Sequence, residues 1–192
     1  MINLPAPDLE GSMTLEAALA KRRSIRSFQD KNLTDHQISQ LMWSAQGITH
    51  PSGFRTAPSA GALYPLELYA ATQDGLFHYQ PHEHSLMKVF DHDPRPELYR
   101  AALQQDSVLE APMVIAITAV FARTEQRYGA ARTPLYVHLE AGHAAQNILL
   151  QAVALDLGAV PIGAFYDDQV KDVLELSQDQ TPLYLIPVGY PK

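Results

Sequence analysis

Apolar and polar residues alternate from Leu66 to Thr72, a pattern typical of a β-strand with one buried face. Asp74-Gly75 is a tight-turn signal, so the following "LFHYQ" is expected to return as a hairpin and "SLMKVF" to add a third strand. The run "MVIAITAV", residues 113–120, is apolar throughout, which favours a central strand covered on both faces. "LYLIPVG" is expected to form the last strand.

Apolar residues at helical spacing predict the helices. Thr14 is expected to cap a helix through "LEAALAKR", and Thr34 with Gln37 forms a capping box for a helix that ends at Gly47. Short helices are expected over residues 96–105 and from Asp167 or Asp168 to Leu176. The longest is expected over residues 134–157 and is ended by Gly158. Its wide apolar face predicts a largely buried helix and comprises Leu139, Gly142, Ala145, Ile148, Leu149, Ala152 and Val153.

Composition narrows the class of protein. The chain has 192 residues, 46% of them hydrophobic, which fits one domain over residues 1–192 with an N-terminal arm over residues 1–13. Interspersed helices and strands with a hairpin indicate an α/β or α+β fold with a mixed sheet. The absence of cysteine, of a signal peptide and of a membrane-spanning run predicts a cytoplasmic protein without a membrane partner. A net charge of −7 argues against a nucleic-acid partner.

The stretch "KRRSIRSF", residues 21–28, concentrates positive charge in this acidic chain. Arg22, Ser24 and Arg26 alternate, so an extended backbone would point all three to one side. Two guanidinium groups and a hydroxyl on one side suit a phosphate, which accepts planar bidentate donors. The alternative is a solvated helix C-terminus where cations complement the helix dipole.

Two stretches carry almost no side-chain bulk: Pro58-Ser59-Ala60-Gly61 and Pro161-Ile162-Gly163-Ala164. Each alone is compatible with a turn beside a strand. Together they could form the walls of a thin slot whose backbone N–H groups face the polar rim of a planar ring. An isoalloxazine ring has these requirements.

Five stretches taken together resemble the flavin-dependent nitroreductase superfamily: "RRSIRSF", "PSAGALYPLELY", "RYGAAR", "LEAGHAAQNILLQAVALDLGAVPIGAFYDD" and "PVGYPK". Within it, the chain is most similar to the SagB-type dehydrogenases, which include azoline oxidases. The resemblance implies an α+β, nitroreductase-like fold with a mixed or antiparallel sheet flanked by helices. It also implies a homodimer with the long helix at its interface and two FMN sites between the subunits.

The resemblance also implies site residues, carried over by position. Arg22, Arg23, Ser24 and Arg26 match the first flavin motif, with Arg22 and Ser24 at the phosphate and Arg26 at the pyrimidine edge. The cofactor of the opposite subunit would be reached by Pro58, Ser59, Ala60 and Leu63, and the ring would be covered by Pro161, Ile162, Gly163 and Ala164. Lys192 stands where relatives continue into a basic tail that contacts the phosphate.

The implied activity is hydride transfer through flavin N5 from NAD(P)H to a small nitroaromatic or quinone-type acceptor. The alternatives are oxidation of an organic substrate, such as an azoline, with oxygen reoxidising the FMN, and a flavin-binding protein without turnover. Azoline oxidases carry a Lys-Tyr pair where this chain has Arg127-Tyr128, and arginine cannot act as a base near neutral pH, so Tyr128 is the candidate catalytic residue.

The histidines do not predict a metal site. His78, His82 and His84 flank a turn and are expected to lie in water. Glu140 and His143 form a single Glu-x-x-His pair on the long helix, whereas di-iron bundles need two such pairs. His143 is therefore expected to lie near the core or the dimer contact.

Overall fold

The computed structural model describes residues 1–192 and confirms the α+β class. A seven-stranded antiparallel sheet has the order β1-β4-β3-β2-β5-β7-β6. Its strands are β1 (Ile2–Asn3), β2 (Leu66–Thr72), β3 (Gly75–Gln80), β4 (Ser85–Phe90), β5 (Met113–Val120), β6 (Gly158–Ala159) and β7 (Gln180–Gly189). The helices are α1 (Leu15–Lys21), α2 (Asp35–Gln46), α3 (Arg95–Ala101), α4 (Asp106–Glu110), α5 (Phe121–Tyr128), α6 (Thr133–Ala154) and α7 (Asp167–Val173), with a 3₁₀ turn over Ala60–Ala62.

Strand β5 is the centre of the molecule. It is buried along its whole length and pairs with β2 on one side and β7 on the other. Its side chains alternate between two cores: Ile115 and Ile117 pack with α2 and α6, whereas Val114 and Ala116 pack with α3, α4 and α7. The continuous apolar run therefore predicted its environment correctly, because a strand covered on both faces has no polar side.

The helix starts follow the predicted capping chemistry. Thr34 accepts a hydrogen bond from the Gln37 backbone N–H while the Gln37 side chain accepts one from the Thr34 N–H, so the capping box of α2 is complete. The Thr14 hydroxyl accepts from the Ala17 N–H at 3.2 Å and starts α1.

The end of α6 was predicted wrongly. The helix stops at Ala154 rather than at residue 157, and Asp156, at φ +55°, takes a left-handed conformation just after it. Gly158 instead lies in β6, where a Cβ would come within 2.7 Å of the Ile25 side chain. This glycine serves a close approach between two extended segments rather than a helix end.

Several further details differ from the sequence-based prediction. The helix expected over residues 96–105 is split into α3 and α4, with Leu103 and Gln104 at positive φ between them. The predicted apolar face of α6 is only partly buried, because Leu139 and Gly142 are exposed. The short strand β1 and the helix α5 were not predicted, and α7 ends at Val173 rather than Leu176. No helix has both the length and the apolar character that crossing a membrane requires.

Candidate active site

The predicted basic residues lie on an extended segment beside β6. Arg22 ends α1, and its N–H donates to the Ala18 carbonyl at 2.9 Å. Ser24 then forms a parallel bridge with Ala159, and the Ile25 N–H donates to the Ala159 carbonyl at 3.1 Å. Because β6 runs directly into residues 161–164, this pairing brings two predicted stretches from opposite ends of the chain together.

Arg22, Ser24 and Arg26 form what we call the basic strip. Neither guanidinium group has a carboxylate or carbonyl partner in the protein, and the Ser24 hydroxyl is also free of protein partners. Arg23 differs, because its Nη1 donates to the carbonyls of Ala20 at 3.0 Å and Arg22 at 2.6 Å. The strip thus presents two free guanidinium groups, while Arg23 completes the C-terminus of α1.

Residues 161–164 form an edge with free backbone donors. Ile162 is fixed by two backbone hydrogen bonds with Leu185, at 2.8 and 3.0 Å. The next two N–H groups, of Gly163 and Ala164, donate to no protein atom, and both residues are exposed. A Cβ on Gly163 would meet only Tyr184, at 3.7 Å, so packing within the protomer does not require glycine here.

The other bare stretch forms a tight loop over residues 58–63. The Ser59 hydroxyl accepts the Tyr64 N–H at 2.9 Å and closes the loop, which contains the 3₁₀ turn. Gly61 has φ +63°, and a Cβ on it would lie 3.0 Å from the Tyr128 hydroxyl and 3.2 Å from Arg127. The structure therefore places the predicted catalytic residue Tyr128 directly on the loop, which the spacing of these residues in sequence did not indicate.

A buried polar group supports this loop from inside, and we call Gln46, Arg55 and Glu140 the inner cluster. The Arg55 Nη1 donates to Gln46 Oε1 at 2.7 Å, and its guanidinium lies 4.5 Å from the centroid of the Tyr64 ring. Glu140 is only 2% exposed and projects from α6. The sequence analysis treated Glu140 as half of a rejected metal motif and missed its burial, because that burial depends on how α6 packs against the rest of the chain.

The electrostatics of the inner cluster are dominated by desolvation. Burial raises the pKa of the Glu140 carboxyl to about 7, while the Ser59 hydroxyl and the Arg55 charge act in the opposite direction. Burial also lowers the pKa of the Arg55 guanidinium, against the effect of Glu67 and Glu140. Glu140 is therefore a carboxyl group whose two protonation states are both accessible near neutral pH.

A second charged group lies next to this cluster on the sheet. Glu67 accepts hydrogen bonds from His78, at 2.7 Å, and from Arg123. Burial alone would raise the pKa of Glu67. The hydrogen bonds from His78 and Arg123 and the charges of these residues outweigh burial, so the pKa of Glu67 lies below its usual value. His78 is mostly buried and stacks on Tyr69, with ring centroids 4.6 Å apart.

The prediction that the histidines lie in water was therefore wrong for His78, and it was also wrong for His84. The two ring nitrogens of His84 contact the Tyr79 hydroxyl at 2.9 Å and the Ser39 hydroxyl at 2.8 Å. His84 thereby ties the β3–β4 turn to α2, and only His82 of the three is exposed.

Lys192 lies at the far end of the extended segment from Arg22. Its ammonium group forms an ion pair with Glu110 at 2.9 Å, and its N–H donates to the Ser27 carbonyl at 3.2 Å. Glu110 also accepts from the Ser27 hydroxyl and the Phe28 N–H. The predicted phosphate contact of Lys192 would have to compete with this ion pair.

The outer faces of α1 and α6 carry exposed leucines. Leu15 and Leu19 of α1 are 61% and 52% exposed, and Leu135 and Leu139 of α6 are 47% and 51% exposed. His143 is also exposed on α6, so it does not lie in the core, and its alternative place at a dimer contact stays a prediction.

The predicted site residues thus form two groups. One contains the basic strip and residues 161–164, and the other contains the loop 58–63 with Tyr128. No hydrogen bond or β-bridge joins these two groups within the protomer. A cavity of about 630 Å³ lies elsewhere, between the N-terminal arm and α1, α2 and α6, and none of the predicted site residues lines it.

Known proteins share the sequence pattern and the architecture of this chain. The family model described as "Nitroreductase family" matches residues 19–190. The chain is 41% identical to the provisionally assigned nitroreductase MJ1384 of Methanocaldococcus jannaschii, over 98% of this chain and 96% of that protein.

Solved structures share the fold of this chain. The provisionally assigned nitroreductase of Ralstonia eutropha JMP134 superposes with a TM-score of 0.91 at 30% identity, over 100% of this chain and 89% of that one. The NADPH:FMN oxidoreductase of Vibrio harveyi, solved with NAD⁺, superposes with a TM-score of 0.71 at 22% identity, over 93% and 69% of the two chains. The latter likeness concerns the fold alone. The family match and the close relative, taken with the fold, show that this chain belongs to the nitroreductase family.

Proposed function

We propose that this protein is an FMN-dependent oxidoreductase that transfers hydride from NAD(P)H to a small nitroaromatic or quinone-type acceptor. The observation that carries the proposal is the pairing of Ser24 with Ala159, which brings the backbone of the basic strip next to the strand that leads into residues 161–164, where two backbone N–H groups are free. Family membership supports the reaction class, and the name of the Vibrio harveyi protein supports FMN and NADPH as partners.

The basic strip fits a phosphate. A phosphate monoester needs cationic donors that are not already neutralised, and Arg22 and Arg26 have no carboxylate partner in a chain of net charge −7. Arg22 and Ser24 would hold this group, and Arg26 would favour negative charge on the neighbouring part of the ligand. Arg23 would act indirectly, because its donors complete the helix end.

Residues 161–164 fit a planar ring. The N–H groups of Gly163 and Ala164 are unpaired donors, and the space above Gly163 is open. Pro161 and Ile162 fix this edge, since Ile162 is bonded twice to β7. A flavin supplies the acceptors such donors require, and it accepts and releases hydride when bound.

A second copy of the chain would complete the site. Four loop residues are at least partly exposed: Pro58, Ser59, Ala60 and Leu63. No backbone hydrogen bond links them to residues 161–164 of their own protomer. Pairing of the exposed leucines on α1 and α6 would bury apolar surface and bring the loop of one copy to the strip of the other. We therefore expect a homodimer with two equivalent sites.

Substrate dehydrogenation, the reaction of SagB-type relatives, is a second candidate because of Tyr128. Its hydroxyl lies 3.0 Å from the position of a Cβ on Gly61, so it stands at the edge of the loop and can donate or accept a proton there. In this reaction the substrate gives hydride to the flavin and oxygen removes it. A Tyr128→Phe variant impaired only in the oxidative direction would support this candidate.

The test uses the purified full-length protein. We expect a yellow protein that releases FMN on denaturation, and whose flavin absorbance is bleached by NADH or NADPH without oxygen. Addition of a quinone or nitroarene should restore the absorbance. A colourless protein that does not bind added FMN would refute the proposal, and bleaching by neither nicotinamide would favour the dehydrogenase or a flavin carrier without turnover.

A further inference from the structure

Four side chains lie next to one another where α5 ends and α6 begins, and we call Arg127, Tyr128, Arg132 and Tyr136 the tyrosine–arginine patch. The rings of Tyr128 and Tyr136 meet edge to face, with centroids 4.8 Å apart. The guanidinium carbon of Arg127 lies 5.7 Å from the centroid of the Tyr128 ring, and that of Arg132 lies 5.7 Å from the centroid of the Tyr136 ring. A cationic group therefore flanks each end of an aromatic pair.

Neither guanidinium group of the patch is neutralised within the protein. Arg127 and Arg132 are exposed and form no ion pair, and Glu125 on the same helix pairs with neither. Arg123, one turn before Arg127, is the opposite case, because it is paired with Glu67. In a chain of net charge −7, two unpaired cations beside one aromatic pair form a local attraction for an anion.

The backbone between the two arginines is fixed. Gly129 takes φ +70°, a conformation that favours glycine. Its carbonyl accepts the Arg132 N–H at 3.3 Å, the Thr133 N–H at 3.2 Å and the Thr133 hydroxyl at 2.9 Å. Because Thr133 is buried, this turn is held to the body of the protein, and a ligand on the patch would not have to order it.

The patch borders the loop over residues 58–63. A Cβ on Gly61 would lie 3.0 Å from the Tyr128 hydroxyl and 3.2 Å from Arg127 Cδ and Nη1. A small molecule on the patch would therefore lie next to the loop that the proposed function assigns to the cofactor.

We propose that the tyrosine–arginine patch is a substrate subsite that takes a planar aromatic ring bearing an anionic group. The inference rests on the proposed function, which makes the neighbouring loop part of the flavin site. Tyrosine rings pack against an aromatic ring, and guanidinium groups donate in pairs to a carboxylate or a phosphate. Two substrates of the proposed reaction have this chemistry: an acceptor that carries a carboxylate, and NADPH, whose adenosine carries a 2′-phosphate that NADH lacks.

The experiment measures equilibrium binding by isothermal titration calorimetry on the full-length protein without a nicotinamide donor. Two matched pairs of probes distinguish the sources: 4-nitrobenzoate with 4-nitrobenzamide, and adenosine 2′-monophosphate with adenosine. In at least one pair, wild-type protein should bind the charged member about 5- to 20-fold more tightly, and this preference should shrink as salt is added. The pair that shows the preference identifies the substrate.

Variants assign the preference to the patch. Arg127→Gln and Arg132→Gln should each lower it about two- to fivefold, the scale of one exposed charge pair, with the melting temperature near that of wild type. Tyr136→Leu should weaken both members of the responding pair to the same degree, because it removes ring contact and leaves the charge. Arg100→Gln, which removes an exposed arginine of α3, is the control and should keep the full preference.

Equal affinity for the charged and neutral members of both pairs in wild-type protein overturns the inference. The same preference in Arg127→Gln, Arg132→Gln and Arg100→Gln also overturns it. Calorimetry needs neither flavin nor turnover, so a protein that shows the predicted preference but binds no FMN overturns the proposed function and leaves the anion site standing.

Discussion

The basic strip and the inner cluster both contain arginine, yet the two environments are opposite. Arg22 and Arg26 lie on an extended surface segment without a protein partner for their charge. Arg55 is partly buried, donates to Gln46 and lies over the Tyr64 ring. Two guanidinium groups therefore have no charge partner in the protein, whereas the third is held by Gln46 and Tyr64.

Because of this difference, substitutions in the basic strip are expected to change ligand binding, and substitutions in the inner cluster are expected to change the stability of the fold. A hydrated surface guanidinium costs the folded state little, so its removal should affect a ligand more than the fold. A buried carboxyl or guanidinium is desolvated in every folded molecule, so its removal should change the free energy of unfolding and its dependence on pH. Variants in the two regions are therefore expected to have complementary effects.

The largest effect is expected from Glu140→Gln on stability. The pKa of Glu140 rises from 4.5 to about 7 on folding, so the folded state holds a proton that the unfolded state has released between these values. In the wild-type protein, the contribution of Glu140 to the free energy of unfolding is fully present below pH 4.5 and is lost as the pH rises to about 7. The variant lacks this titration and should gain up to about 3 kcal/mol relative to wild type between pH 4.5 and 8, measured by urea unfolding.

Glu67→Gln gives the contrast for that measurement. The pKa of Glu67 is lowered in the folded protein, so its contribution is present above its unfolded pKa and is lost as pH falls. The variant should therefore be less stable than wild type at neutral pH, the opposite sign to Glu140→Gln. Equal pH dependence of stability in the two variants would contradict the assignment of Glu140.

The next largest effect is expected at the basic strip. Arg22→Ala or Arg26→Ala should weaken FMN binding by about 10- to 100-fold, the scale of a charge-assisted hydrogen bond, while the melting temperature stays near that of wild type. Arg100→Ala is the matched control, because Arg100 is exposed and pairs only with Glu97 on its own helix. If Arg22→Ala and Arg26→Ala bind FMN as tightly as this control, the assignment of the phosphate to the basic strip is wrong.

Sequence patterns predicted the extended backbone of the basic strip better than the burial of the inner cluster, for a physical reason. The alternation of Arg22, Ser24 and Arg26 is a local property of extended backbone, as is the apolar run of β5. The burial of Glu140 depends on how α6 packs against the loop before β2, and this contact is not local. The sequence analysis consequently treated Glu140 as part of a motif. It also placed His78 and His84 in water, because their hydrogen-bond partners lie on other elements of the fold.

The fold class was also predictable, while the segment ends were decided by tertiary contacts. Strands β2, β3, β4, β5 and β7 follow from alternation, apolar runs and the Asp74-Gly75 turn. The end of α6 was missed because Gly158 is needed where Ile25 approaches β6, and Asp156 takes the left-handed conformation instead. The position of Tyr128 beside Gly61 could not be predicted, since α5 has no apolar spacing that identifies it.

A smaller effect, of about tenfold or more on FMN affinity, is expected from Gly163→Val. The added side chain would meet little of the protomer, because a Cβ on Gly163 contacts only Tyr184 at 3.7 Å. The melting temperature should therefore be unchanged, while the side chain projects into the space proposed for the ring. Gly11→Val is the control, since a Cβ there meets no atom within 4 Å and lies outside the proposed site. Equal FMN affinity in both variants would exclude residues 161–164 as a wall of the slot.

The smallest effect is expected from Lys192→Ala, which asks whether every cation near the strip acts on the ligand. The ammonium group of Lys192 is already paired with Glu110, unlike the guanidinium groups of Arg22 and Arg26. FMN affinity should therefore change by less than about twofold, a difference well below that of losing a charged hydrogen bond. Fluorescence titration beside the Arg26→Ala variant measures this directly. A tenfold loss would mean that the ligand displaces Glu110, and that charge near the strip matters more than the absence of a protein partner.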